Sequence, residues 1–473
     1  MLTDDQCYCA VVSRDRRFDG VFFVGVSSTG IYCRTVCTVK TPRQKNCTFY
    51  PSAAAAERAG YRPCLRCRPE LAPGQAKIDA IGRLAAAAAS QIENGALTEQ
   101  SVSDLAISLS ISDRHLRRIL QQEFGVSPIQ LAQTQRLLLA KRLLTDSTLS
   151  IADVAFASGF SSVRRLNALF QKHYRLNPTT LRKATHLSQD ILRCELAYRP
   201  PLDWPALLGF LQSRAIAGVE TIEGDRYQRT VSQGRYQGWI QVSPVPQQDK
   251  LQVDLSASLV AAILPVLTRV KALFDLAADP VLIANHLSHL SMSCPGLRVP
   301  GAFDGFEVAI RAILGQQVSV KAATTLMARL VKTVGTPIQT PLAGLTHLTP
   351  TPAQIAQASL SDLTELGILA SRATSLKAIA HAVLAGDLQL NPYSNVEATV
   401  AQLKTLPGIG EWTAQYIAMR VLAYPDAFPH ADLGLRRALS VEKPTQVLQL
   451  AEPWRPWRAY AAMYLWKSLE VVG

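Results

Sequence analysis

At 473 residues the chain is too long for one hydrophobic core and calls for about three or four domains. Its 48% hydrophobic and 18% charged residues exclude a disordered chain, and the absence of a run of about 18 apolar residues argues against a membrane span. The net charge of +13 sits mostly in residues 1–183, with 25 Lys+Arg against 14 Asp+Glu, which makes nucleic acid the default partner.

The opening MLTDDQCYCAVVSRDRR lacks the apolar core of a secretory leader, so the chain reads as intracellular and cytoplasmic. In a reducing compartment its nine cysteines suggest metal or chemistry before disulfides. Residues 1–72 form a first, small unit around two close pairs, Cys33 and Cys37, then Cys64 and Cys67. The spacing C-x3-C, 26 residues, C-x2-C suits one zinc ion held by four thiolates. Spacing alone leaves open a structural zinc knot or a zinc-activated nucleophile. Cys7, Cys9, Cys47, Cys194 and Cys294 have no partner spacing and read as inert thiols.

The segments GVSSTGIYCRTVC and NCTFYPSAAAAERAGYRPCLRCRPE resemble the zinc domain of the Ada family of alkylation-response proteins. That resemblance implies a small α/β zinc domain in which Cys33 is both a ligand and the acceptor of a methyl group from a DNA methyl phosphotriester. Arg34, Lys40, Arg43 and Lys45 stand nearby as candidate phosphate contacts, or as ordinary solvated charges.

Residues 77–184 contain a repeat at an offset of about 50 residues: SVSDLAISLSISDRHLRRILQQEFG and SIADVAFASGFSSVRRLNALFQKHY. Each copy predicts a short helix, a turn (Gly159 in the second) and a longer helix that begins at serine. Leu116, Ile119, Leu120 and Phe124 repeat as Leu166, Leu169, Phe170 and Tyr174 on one helical face. Arg114, Arg117 and Arg118, and in the second copy Arg164 and Arg165, occupy the opposite face. The pattern resembles the tandem helix-turn-helix module of the AraC family of transcription activators. It implies an all-α unit that places two basic helices in DNA major grooves, with RNA polymerase as a further expected partner and a bacterial, nucleoid-associated location.

From about residue 189 strands are expected at ILRCELAY, VETIEG, RYQRTV, GWIQV and LQVDLS, with a helix at WPALLGFLQSRA, giving a mixed α/β unit over 189–265. Residues 266–473 then read as all-helical. There LKTLPGIGEWTAQYIAMR predicts two helices joined at Gly408 and Gly410, a turn whose amides suit a phosphate. With DAFPHADLGLRRAL downstream and PGLRVPGAFDGFEVAIRAILGQQVSV upstream, residues 190–470 resemble the AlkA type of 3-methyladenine DNA glycosylase.

The resemblance implies Asp432 as the carboxylate facing the sugar, although an aspartate there also reads as a helix cap. It implies Phe210, Trp412, Tyr416 and Trp466 as the aromatic base pocket, where electron-rich faces attract cationic alkylated bases. Gln317 falls where a side chain wedges into the DNA stack, and the backbone carbonyls of Lys404, Leu406 and Ile409 where a monovalent cation binds. Backbone-cleaving relatives carry a lysine where this chain has Trp412, so a monofunctional hydrolase is expected.

The fold class expected is therefore multidomain α+β: a small zinc-bound α/β domain, an all-α tandem helix-turn-helix module, a mixed α/β subdomain and an all-α helix-hairpin-helix glycosylase domain. Two other readings stay open: a regulator with an inactive glycosylase fold, and a glycosylase whose N-terminal units only tether it to DNA.

Overall fold

A computed structural model describes residues 2–73, 80–109, 111–147, 149–181, 191–291, 294–392 and 395–472. The first unit holds α1 (Asp4–Val12), β1 (Phe23–Val26), β2 (Ile31–Cys33), β3 (Cys47–Tyr50), α2 (Ala53–Arg58) and β4 (Arg62–Pro63). Its sheet runs β3-β1-β2-β4, antiparallel except where β4 pairs parallel to β2. That pairing carries Cys64 to the end of β2, beside Cys33.

The helical unit follows as α3 (Ala80–Glu93), α4 (Ala96–Glu99), α5 (Val102–Ser108), α6 (Asp113–Phe124), α7 (Pro128–Asp146), α8 (Ile151–Ala157) and α9 (Val163–Tyr174). Ser112 and Ser162 cap α6 and α9, each hydroxyl accepting from an amide in the first turn. Both helices bury the repeated apolar set expected from the sequence, except Phe124, which is partly buried. The two copies nevertheless use different cores. The first packs with Ala54 and Ala55 of α2, whereas the second lies in one apolar cluster with the C-terminal half.

The α/β unit consists of β5 (Ile191–Ala197), α10 (Trp204–Gln212), β6 (Glu220–Glu223), β7 (Arg226–Gln233), β8 (Tyr236–Pro244) and β9 (Lys250–Ser256). Its antiparallel sheet has the order β5-β9-β8-β7-β6. The helical remainder runs through α11 (Ile263–Leu273), α12 (Pro280–His286), α13 (Ser288–Ser291), α14 (Gly305–Leu314) and α15 (Val320–Val334), then the short pair β10 (Thr336–Pro337) and β11 (His347–Leu348). It continues with α16 (Pro352–Gln357), α17 (Leu360–Glu365), α18 (Ala370–Leu384), α19 (Val396–Thr405), α20 (Glu411–Arg420), α21 (Leu433–Ala438), α22 (Pro444–Ala451) and α23 (Arg458–Val472). Among the described residues no helix is long and apolar enough to cross a membrane.

Polar joints connect these units. Glu57 of α2 is buried, and its carboxylate accepts from Tyr32 Oη (3.1 Å), Tyr174 Oη (3.1 Å) and Thr134 Oγ1 (2.9 Å). It thereby ties the strand that ends in Cys33 to α7 and α9. Nearby, Lys141 Nζ reaches both oxygens of Glu70 at 2.7 Å, and Arg68 bridges Glu70 to Asp146. Burial raises the Glu57 carboxyl to about 7 from its ordinary 4.5.

Because the folded form holds this proton more tightly, its contribution to stability is complete below about pH 4.5 and is lost as pH rises through about 7. The size is about 3 kcal/mol. Glu57→Gln should therefore flatten the decline in apparent Tm between pH 5 and pH 8 relative to the unsubstituted chain. Parallel profiles for the two proteins would refute this account.

Candidate functional site

The sheet of the first unit brings Cys33, Cys37, Cys64 and Cys67 together with their sulfurs all within 4.8 Å of one another. Tetrahedral Zn–S bonds of about 2.3 Å place sulfurs roughly 3.8 Å apart, so this cage fits zinc. The first three cysteines are buried and Cys67 is half-buried.

Arg34 follows the first cysteine, but its guanidinium is buried in an ion pair with Asp19, and its Nη1 donates to Cys67 O at 3.1 Å. The expected phosphate contact is thus corrected: in this arrangement Arg34 braces the cage, its own amide donating to Cys67 Sγ at 3.4 Å. Cys33, Cys37 and Cys64 line a cleft of about 230 Å³ whose other walls are mostly valines and Ile31, with Thr29, Arg34 and Thr35 among them. Lys40, Arg43 and Lys45 are exposed, and Lys40 lines the same cleft as Cys33.

In the helical unit Arg114, Arg117, Arg118, Arg164 and Arg165 are all exposed near the starts of α6 and α9. Arg117 is engaged by Asp113 one turn earlier at 2.7 Å. Arg118 Nη2 lies 3.1 Å from His115 Nδ1, and Arg114, Arg164 and Arg165 are exposed to solvent.

The C-terminal site is built around the turn between α19 and α20. Gly408 has φ +73°, and a Cβ there would lie 2.3 Å from Ser375 Oγ, so only glycine fits. Gly410 caps α20 with nothing within 4 Å of its missing Cβ, which leaves the backbone open to an approaching phosphate. Gln316 clamps this turn to the α14–α15 loop, donating to Gly408 O at 2.9 Å and to Thr413 Oγ1 at 3.0 Å. Its neighbour Gln317 projects into solvent with φ +54°, next to exposed Val318 and Val320.

In the first turn of α20, the Trp412 indole stacks on Tyr416 one turn later at 5.3 Å and 14°. Trp412 Nε1 donates to Asp432 Oδ2 at 2.9 Å, and Trp466 Nε1 donates to Asp432 Oδ1 at 3.0 Å. Asp432 also caps α21 through Leu435 N at 3.1 Å. Cap and candidate catalyst are therefore the same carboxylate, partly buried and held by three N–H donors.

Gly434 makes this possible, since a Cβ there would sit 2.9 Å from Asp432 Oδ1 and 3.2 Å from the Trp466 ring. Phe210 joins the group indirectly. Arg214 lies over its ring at 3.7 Å and Arg420 at 4.9 Å, while Arg420 Nη1 also donates to Tyr416 Oη at 2.7 Å. Burial pushes the Tyr416 phenol up, but the Arg420, Arg214 and Arg311 cations outweigh it and hold it below its usual value. Sequence patterns did not point to Gln316, Gly434 or this arginine group.

The metal binding domain of Ada matches residues 6–70, a helix-turn-helix domain 105–184, the AlkA N-terminal domain 193–304 and the HhH-GPD superfamily of base excision DNA repair proteins 310–444. The chain is 36% identical to the probable bifunctional transcriptional activator/DNA repair enzyme AlkA of Mycobacterium tuberculosis, over 98% of this chain and 96% of that one. The chain belongs to this family of bifunctional transcriptional activator/DNA repair enzymes. DNA-3-methyladenine glycosylase 2 of Escherichia coli is 37% identical over 57% of this chain and 95% of that protein. The Escherichia coli activator/repair enzyme Ada is 33% identical over 35% of this chain and 46% of that protein.

Membership of the bifunctional family accounts for the two widely separated sites: an Ada-type zinc cage of Cys33, Cys37, Cys64 and Cys67, and a helix-hairpin-helix glycosylase fold. The AlkA N-terminal match extends to residue 304, past the 265 boundary expected from the strand pattern and across α11 to α13.

In this bifunctional enzyme Trp412 makes two separable contacts, an indole N–H bond to Asp432 and stacking on Tyr416. Trp412→Phe keeps an aromatic face against Tyr416 and removes one donor to a charged acceptor, a bond worth about 1.5–3 kcal/mol. Base release at saturating DNA should fall about 10- to 100-fold with little change in KM. An unchanged kcat would show that stacking is the whole contribution of this ring.

Proposed function

We propose that the chain repairs alkylated DNA at two chemically different places and uses the first repair as a signal. In the N-terminal site Cys33 Sγ attacks the methyl carbon of a DNA methyl phosphotriester. The S–C bond forms, the C–O bond breaks, and the electron pair leaves on the phosphate oxygen, restoring a diester. A zinc ion held by the four cysteines keeps their sulfurs as thiolates at neutral pH, with a formal charge of −2 on the cage. Methyl transfer turns Cys33 into a neutral thioether and removes one unit of that charge. Repulsion of the DNA backbone then weakens, and the exposed arginines Arg114, Arg118, Arg164 and Arg165 can hold a promoter. One Cys33 is consumed per methyl group.

In the C-terminal site the target base is flipped against Trp412, Tyr416 and Trp466. The C1′–N bond breaks, the base leaves with the bonding electrons, and Asp432 stabilises the cationic sugar until water adds at C1′. Trp412 offers no amine, so the product is an abasic site with an unbroken backbone. Gly408 and Gly410 receive a DNA phosphate, Gln317 fills the gap left by the base, and the carbonyls of Lys404, Leu406 and Ile409 hold a monovalent cation. Lys40, Arg43 and Lys45 contact phosphates around Cys33, and RNA polymerase is the partner of the promoter-bound form, in the bacterial cytoplasm.

The observation that carries this reading is Asp432 held by two indole N–H groups beside a stacked Trp–Tyr pair. The test is to incubate the chain with DNA carrying radiolabelled methyl groups. Label should divide between Cys33 and free 3-methyladenine. Label that stays entirely on the DNA would dispose of both activities.

A further inference from the structure

Four buried arginines stand in series between the zinc cage and the base pocket. Arg34, Arg199, Arg298 and Arg420 are each no more than 6% exposed. Arg34 holds the cage by donating to Cys67 O at 3.1 Å, and its guanidinium pairs with the Asp19 carboxylate. Asp19 O in turn accepts from Arg199 Nη2 at 2.9 Å, while Arg199 Nη1 donates to Ala277 O at 2.8 Å. Arg199 O accepts from Arg298 Nη2 at 2.6 Å, and Arg298 Nη1 donates to Ala278 O at 2.9 Å. Just after Arg298, Pro300 O and Gly301 O accept from Arg420, whose Nη1 donates to Tyr416 Oη at 2.7 Å. Tyr416 is the ring on which Trp412 stacks.

A guanidinium is a planar fork of five donors, so one side chain can fix two separate stretches of main chain. Apart from the Asp19 carboxylate and the Tyr416 phenol, every acceptor named in the series is a backbone carbonyl. A shift of one stretch therefore displaces the next, rather than only turning a side chain. Buried charged donors are costly to leave without acceptors, so no link slackens by itself. The other joints of the zinc unit lead elsewhere: Glu57 to α7 and α9, and exposed Arg16 to Asp249.

We propose that this series couples the two sites, so that zinc in the cage sets how well the base pocket is formed, with Arg199 and Arg298 as positioning residues. The proposal rests on the glycosylase reading and adds that the rate of base release depends on a filled cage. A filled cage fixes Cys67, and with it Arg34 and Asp19. Arg199 and Arg298 then have firm anchors, and the segment 298–301 holds Arg420 against Tyr416. An empty cage frees Cys67 and slackens the far end of the series.

The test compares the full chain loaded with zinc and stripped by a chelator. Single-turnover base release at saturating DNA removes any contribution of the zinc unit to DNA binding. Stripping should lower that rate about fivefold or more, the size of an ordinary coupling between sites. It should also raise hydrogen exchange in the peptide 297–303. In Arg199→Met both responses should vanish, with release and exchange at the stripped level whether or not zinc is present. Asp249→Ala, which opens the exposed ion pair with Arg16, should keep both responses.

If Arg199→Met fails to fold, Asp19→Asn makes the same comparison. It removes the charge that holds Arg34, keeps the carbonyl that Arg199 uses, and should shrink both responses. Equal responses in the unsubstituted chain and the variant, or no response to stripping at all, would overturn the coupling. Failure of the glycosylase reading looks different: no form releases a base, and hydrogen exchange alone then judges the series.

Discussion

Asp432→Asn is expected to lower the rate of base release by about 10³-fold, within the range for losing a positioned charge at a reacting centre. The substitution is close to isosteric, so the comparison isolates charge and hydrogen-bond polarity. An asparagine Oδ1 still accepts from Leu435 N and Trp466 Nε1, which preserves the α21 cap. Its amide nitrogen, however, faces Trp412 Nε1 across 2.9 Å, donor against donor. The carboxylate that would oppose the positive charge at C1′ is gone, and the indole it oriented has lost its acceptor. Folding should be barely affected, because asparagine is as good an N-cap as aspartate. Counting abasic sites in alkylated DNA gives the rate, and a gel shift reports retained binding. Release within a few-fold of the original rate would remove Asp432 from the reaction and return it to a capping role.

Cys33→Ala is expected to take protein-bound methyl from one group per chain to none, while 3-methyladenine release continues. The remaining cysteines, Cys37, Cys64 and Cys67, leave an incomplete cage, so zinc should also be held more weakly. That effect separates two ways of failing. A chain that loses zinc and methyl acceptance together has lost its ligand and its nucleophile in one residue. If alanine at position 33 still accumulates label, another sulfur is the acceptor. Cys9, Cys47, Cys67 and Cys294 are then the ones to examine, since Cys9 is exposed and the other three half-buried. Measuring DNA affinity before and after methylation of the unsubstituted chain tests the charge argument, and the gain should shrink as salt rises.

The parts of these sites legible in the sequence are those encoded over short stretches. The cage follows from two cysteine pairs because each pair spans a single turn. Trp412 and Asp432 follow from a hairpin and the segment after it, and α6 and α9 from one repeated face. Residues defined by distant partners gave no such signal. Glu57 sits in an alanine-rich helix, and its partners Tyr32, Thr134 and Tyr174 lie 25, 77 and 117 residues away. Arg34 looks like a phosphate contact in sequence because nothing local marks Asp19 as its partner. Arg214 lies just after α10, while Arg311 and Arg420 come from α14 and α20, and the three meet only when the α/β unit packs on the helical remainder.

The apolar cluster that holds the second helix-turn-helix runs without interruption from Leu137 and Phe170 through Leu192 and Ile263 to Leu465. In the sequence, a break near residue 184 divides a regulator from an enzyme; in the molecule, the helix pair upstream of that break packs into the same apolar cluster as the enzyme. Severing the chain there would leave α8 and α9 with bare hydrophobic surface and the glycosylase half with a missing wall. Tyr32 and Tyr174 meet on Glu57, so the strand that ends at Cys33 is joined to α9 through one buried carboxyl, and α9 shares an apolar cluster with the glycosylase half. Sensor and enzyme therefore share a mechanical frame as well as a polypeptide.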